Sequence, residues 1–376
     1  MIKKQTNTSG KIIELIGIAV FYIFLLSGVG NAESNVNVNI TNIQKKPITG
    51  LIAMGSPIGA LKHKDPLREV KAHPDVYSAV VIDTIWMYME SKKGMYDFSS
   101  IDQALKEIET YNQQHTKHPL SAKLRIFGGP VAPFYVKKMN GGPIAIKKKR
   151  YPTVKIGLFW TKEYGDRFAA LLKHLALRYD HNKLIREVCV GTAASLTAEP
   201  FVAPLDRKNN PKIRAYGFTD AKYKKAIERA LDDYSVWKLT VVDFPFNVFI
   251  STDHEWTPDA VFSNDLMKKF RSRYGHRGVI SNHGLVDPLS QNAKLIYPTI
   301  KELGAPIAFQ TRGPKVNFDN ALKLGFEYGM TEFEVWDTKD AGGYAEVSYS
   351  TLKRWAHMFQ DQTITAKQGK TKETSH

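Results

Sequence analysis

The feature that most constrains this chain is an alternation. Short apolar or β-branched runs recur along it, at Gly50 to Gly55, Ser78 to Trp86, Lys123 to Gly128, Glu187 to Thr192, Phe246 to Thr252, Gly278 to Asn282, Pro306 to Thr311 and Thr331 to Trp336. Helical patterns fall between most of them: Ser100 to Tyr111 carries Ile101, Leu105 and Ile108 on one face, and Tyr164 to Tyr179 carries a broad stripe through Phe168, Leu171, Leu172 and Leu175. Asp220 to Trp237 follows the capping residue Thr219, Ser263 to Tyr274 opens on Ser263-Asn264-Asp265, and Asn317 to Tyr328 stops at Gly329. Strand followed by helix, repeated along most of the chain, predicts a parallel sheet whose faces are covered. An open dinucleotide-type sheet is disfavoured, because Gly55-Ser56-Pro57-Ile58-Gly59 lacks the glycine order of a phosphate loop. The expected fold is therefore a single-domain (β/α)8 TIM barrel over residues 47–362.

The termini read differently. Lys3, Lys4 and Lys11 precede an apolar run from Leu15 to Leu26, and Gly30-Asn31-Ala32 offers small residues before Glu33. This is the pattern of a signal peptide over residues 1–32, giving a periplasmic or secreted protein; the alternative is an N-terminal membrane anchor. The run is shorter than the roughly 20 residues needed to span a bilayer, so no stable membrane span is expected once the leader is gone. Residues 33–46 read as an extended lead-in and 363–376 as a disordered basic tail. Cys189 is the only cysteine and lies in an apolar run, which excludes an internal disulfide framework and suggests a small core residue. No CxxC or HExxH spacing points to a metal site, and no cofactor is expected. The net charge of +16 favours anionic partners such as an acidic polysaccharide. Part of it sits in Lys147-Lys148-Lys149-Arg150 and the tail, where charge runs are ordinarily solvated, so nucleic-acid binding does not follow.

In a barrel of this kind, side chains at the carboxyl ends of strands face the substrate. Those ends supply Trp86 and Glu90, then Glu199, then Asp253, His254, Glu255 and Trp256, then His283, Gln310, and finally Glu334 and Trp336. Aromatic rings beside carboxylates and amides suit a sugar, whose ring faces stack and whose hydroxyls need polar partners. Along Glu332-Phe333-Glu334-Val335-Trp336 the acids and Trp share one face and Phe333 and Val335 the other, so the acids point inward. Glu332 is expected in a buried ion pair with Arg125 or another base, and Glu334 nearer the mouth. Cleaving a glycosidic bond needs two carboxyl groups. Glu199 and Glu334 are the candidate pair, with Asp253 and Glu255 in reserve and Trp86, Glu90, Asp253, His254, Trp256, His283, Gln310 and Trp336 as substrate contacts.

The segment Trp86-Met87-Tyr88-Met89-Glu90, continuing through Gly94-Met95-Tyr96-Asp97-Phe98 and Leu124 to Gly129 with Ala132-Pro133, resembles one recurring in retaining glycoside hydrolase barrels, the β-galactosidase-like and cellulase-like enzymes. The resemblance implies a hydrolase of O-glycosidic bonds acting on a polysaccharide or oligosaccharide. It implies that Glu199 is the acid/base, since Ala198-Glu199-Pro200 stands where those families have Asn-Glu-Pro. At strand seven the family nucleophile is replaced by Gln310, an amide that cannot attack. Either Glu334 takes that role or the barrel binds glycans without cleaving them.

Overall fold

A computed structural model of the chain describes residues 44–54, 65–148, 151–191, 199–201, 209–254, 256–313, 315–336 and 347–373. The expected leader, most of the lead-in, Lys149, Arg150, Ala198, Glu255, Asp337 and residues 374–376 lie outside them. The strands are β1 (Gly50–Ala53), β2 (Tyr77–Ile85), β3 (Ser121–Phe127), β4 (Ile144–Lys148), β5 (Tyr151–Ile156), β6 (Ile185–Cys189), β7 (Val241–Pro245), β8 (Phe249–Ser251), β9 (Thr257–Asp259), β10 (Gly278–Leu285), β11 (Ile307–Thr311) and β12 (Glu332–Val335). Eight of these close into a barrel in the order β1-β12-β11-β10-β7-β6-β3-β2, and every pairing in it is parallel. The protein is a (β/α)8 barrel. Two antiparallel hairpins, β4-β5 and β8-β9, are insertions in the loops.

The period of two along each strand explains how the barrel is filled. Leu51, Val80, Ile82, Leu124, Ile126, Val188, Val242, Phe244, Phe309, Phe333 and Val335 belong to the large apolar cluster shared with the surrounding helices. Their alternates form the interior. Val241, Val279 and Ala308 make one small apolar group and Ile52, Met54, Ala79 and Val81 contribute to another. Many of the remaining interior positions are charged: Lys123, Arg125, Glu187, Asp243, Glu332 and Glu334 are all buried.

The outer layer follows the sequence pattern closely. Its main helices include Ser99–Gln114, Lys162–Tyr179, Asp220–Asp233, Ala260–Tyr274 and Phe318–Glu327. Thr219 caps the third through Lys222 N–H and Asn317 caps the last through Asn320 N–H. The fourth starts earlier than expected, because Asp259 rather than Ser263 is its cap, accepting from Phe262 N–H. A final helix, Tyr349–Glu373, packs Leu352, Trp355, Ala356 and Phe359 into the core. Its backbone continues through residues 363–373, the stretch expected as a tail.

One strand differs from expectation. The fifth barrel strand is β7, Val241–Pro245, and not Phe246 to Thr252, which contributes to the β8-β9 hairpin. The inward Asp243 interrupts the apolar run that would have marked the true strand. No helix among the described residues is long and apolar enough to cross a membrane.

Candidate active site at the barrel mouth

A cavity of about 640 Å3 opens at the carboxyl ends of the barrel strands. Its wall includes Asp83, Arg125, Glu199, Asn282, His283, Gln310, Arg312 and Trp336, with Met54 and Phe127 supplying apolar surface. Four of the expected residues, Glu199, His283, Gln310 and Trp336, thus come together. Trp336 is fixed by its indole N–H, which donates to the Thr311 carbonyl at 3.1 Å. Asn282 is tied into the scaffold: its amide donates to Phe246 O at 2.7 Å and its oxygen accepts from Tyr297 OH at 2.9 Å. The register of β10 against β11 shifts just beyond Asn282. Irregularities of this kind re-aim side chains beside sites.

His283 lies between two carboxylates. Its Nδ1 lies 3.0 Å from Glu199 Oε1, and its Nε2 lies 4.0 Å from Glu334 Oε2. Glu334 stands beneath the cavity wall with 1 % of its surface exposed, paired with Arg125 and, at 3.2 Å, with Lys123. Burial opposes its charge, but Arg125, Lys123 and His283 outweigh burial and hold the carboxyl well below the usual range. It is a fixed anion. The ion pair expected between Glu332 and a base is made with Lys123 at 3.3 Å, while Arg125 turns to Glu334 instead.

Lys123 is the centre of the lower barrel. Its ammonium lies 3.1 Å from Glu187 and Asp243, in addition to Glu332 and Glu334, and none of these side chains reaches solvent appreciably. Burial alone would discharge it; the surrounding carboxylates reverse that and keep it protonated. Glu332 moves the other way, its carboxyl pushed up by burial and by Glu187 against the pull of Lys123. Asp243, His283 and Glu334 bring ligand-type atoms within 4.8 Å of one another. Lys123 and Arg125 already supply the cations there, so these residues do not fit an added metal ion.

Asp83, on β2, was not among the expected site residues. Its side chain is 10 % exposed, its Oδ1 lies 3.9 Å from Arg125 Nη1, and that oxygen has no hydrogen-bond partner. The sequence signal was present, since Asp83 continues the inward series Ala79, Val81 on β2.

The other expected contacts are elsewhere. Trp86 begins a one-turn helix, Trp86–Met89, which swings its indole outward against Tyr164 and Phe168, where Nε1 donates to Glu90 at 3.0 Å. Glu90 is wholly buried, accepting from Gly94 N–H at 2.9 Å and pairing with Arg167. Asp253 and His254 sit in the turn of the β8-β9 hairpin, where Asp253 pairs with Arg214 and accepts from Asp220 N–H. Trp256, at φ +64°, closes the same turn. None of these lines the cavity.

Fold and cavity together define a closed (β/α)8 barrel with a polar pocket at the carboxyl ends of its strands. Among solved structures the chain is similar to endo-glycoceramidase II from Rhodococcus sp. bound to a cellobiose-like imidazole, at 14 % identity and a TM-score of 0.50, covering 83 % of this chain and 80 % of that one. It is also similar to the beta-glycosidase BGL167, at 10 % identity and a TM-score of 0.43, covering 76 % and 83 %. At such identities the likeness concerns the fold. No protein-family profile matches the sequence. No curated protein matches it either.

Proposed function

We propose that the protein binds a carbohydrate chain in the barrel-mouth cavity and hydrolyses its O-glycosidic bonds, with Glu199 as general acid. The observation that carries this reading is Glu199 at the cavity wall, its carboxyl 3.0 Å from the buried His283 imidazole. The ring orients the acid; Trp336 offers a stacking face, and Gln310 offers an amide for sugar hydroxyls. Glu334, ionised beneath them, supplies fixed negative charge toward the cation-like sugar of the transition state. Arg312 at the rim and the net charge of +16 favour an anionic glycan. The N-terminal pattern supports export to the periplasm or beyond, and a mature protein beginning at Glu33 on N-terminal sequencing tests that part.

The experiment is release of reducing sugar from a panel of neutral and acidic glycans by the wild type and by Glu199→Gln. Activity that falls about 10²–10⁴-fold in the variant, the usual range for a lost acid, supports the reading, provided circular dichroism shows the fold intact. Gln310 at strand seven favours a second reading, a glycan-binding barrel without turnover. Binding without cleavage by the wild type would establish it.

A further inference from the structure

We infer that Asp83 is the second reacting carboxyl of this site, the general base that activates water opposite Glu199. The inference rests on the hydrolytic reading above and assigns the step that reading leaves open. Among the described residues at the cavity wall, Asp83 and Glu199 are the carboxylates. Glu334 lies behind the wall with Arg125 and Lys123 already on its oxygens, and the His283 ring stands between it and Glu199. A carboxylate committed to two cations and screened by an imidazole is poorly placed to attack an anomeric carbon. Asp83 is differently situated: its Oδ1 is buried with its acceptor capacity unfilled, and the Gln310 Oε1 and His283 Nε2 atoms of the same wall are also unpartnered. Buried polar atoms without partners are costly, so three around one cavity point to a ligand or water that completes them.

The charged and titratable groups facing Asp83 are Arg125 from β3, Glu334 from β12 and His283 from β10. Burial pushes its carboxyl up to about 7, with Glu334 adding to the rise and Arg125 and His283 opposing it. A base with that affinity for protons is matched to work near neutrality.

The step balances with water as the co-reactant. Ionised Asp83 takes a proton from water as the water oxygen bonds to the anomeric carbon. The bond from that carbon to the glycosidic oxygen breaks, its electron pair leaves with that oxygen, and Glu199 gives the oxygen its proton. Asp83 later passes the gained proton through solvent to Glu199. The anomeric configuration inverts.

The test is Asp83→Asn and Asp83→Ala against Glu334→Ala on a substrate the wild type cleaves. Asn is a neutral near-isostere of a carboxyl whose ionisation burial already opposes, so the variant should fold. We expect the kcat/KM of the wild type to rise with pH through about 7 as Asp83 loses its proton, and that limb to vanish in Asp83→Asn with a rate loss of about 10²–10⁴-fold. Azide should restore turnover in Asp83→Ala, giving the glycosyl azide of inverted configuration, and do nothing for Glu334→Ala. Unchanged rate and pH limb in Asp83→Asn, or azide rescue of Glu334→Ala instead, would overturn the inference while leaving hydrolysis by Glu199 standing. A wild type that cleaves nothing sinks both.

Discussion

Replacing Lys123 by Met tests the charged floor on which the site stands. Met fills similar volume, so the change removes charge without opening a large cavity. Glu334 keeps Arg125, and burial already raises the Glu332 carboxyl; Glu187 and Asp243 lose the one cation paired with each among the described residues. Removing one partner of a buried ion pair costs about 3–5 kcal/mol, so one to two such penalties give at least about 3 and at most about 10 kcal/mol. A domain's whole stability is about 5–15 kcal/mol, so the variant should be marginal or unfolded at neutral pH. Urea unfolding followed by tryptophan fluorescence reads this as a lower midpoint at unchanged slope. The pH dependence is sharper evidence. In the wild type the depressed Glu334 carboxyl contributes stability that is complete above the unfolded carboxylate range and lost as pH falls below that range through the lower folded-state value. In Lys123→Met the stranded carboxylates bind protons more readily folded than unfolded, so stability should recover as pH falls toward about 5. Adding Glu187→Gln and Asp243→Asn should restore much of the loss at pH 7. A variant as stable as the wild type, or one weakened by acid in the same way, would refute the reasoning.

Two further outcomes follow from the same geometry. Trp336→Ala should raise KM or the Kd for oligosaccharide while changing kcat less; loss of an aromatic contact worth about 0.5–1.5 kcal/mol corresponds to up to about tenfold, measurable by isothermal titration. Cys189 is fully buried and burial pushes its thiol far up, so a thiol reagent should leave the native protein unmodified and label it after denaturation, as read by mass spectrometry.

The barrel was legible because parallel strands buried on both faces read as apolar runs between helices. The inward acids of β12 were legible for the same geometric reason: period two put Glu332, Glu334 and Trp336 on one face. What hid the fifth strand was its own function in the floor, since Asp243 within Val241–Pro245 breaks the run. Asp83 stayed hidden for the opposite reason, being one acid in a long apolar strand whose cation, Arg125, comes from the next strand in the barrel. Trp86 misled because a side chain at a strand's end points to the mouth only if the strand continues; here a helical turn rotates it outward. Strand periodicity locates side chains within regular elements and fails at their junctions.

The measurement that tests the central claim most directly is a proton NMR time course of the first sugar released from a cleavable glycoside. Hydrolysis with Asp83 and Glu199 as base and acid predicts that the anomer first formed has the configuration opposite to that of the substrate, later relaxing by mutarotation. A first product of retained configuration would require a covalent intermediate on another carboxylate and would contradict the account.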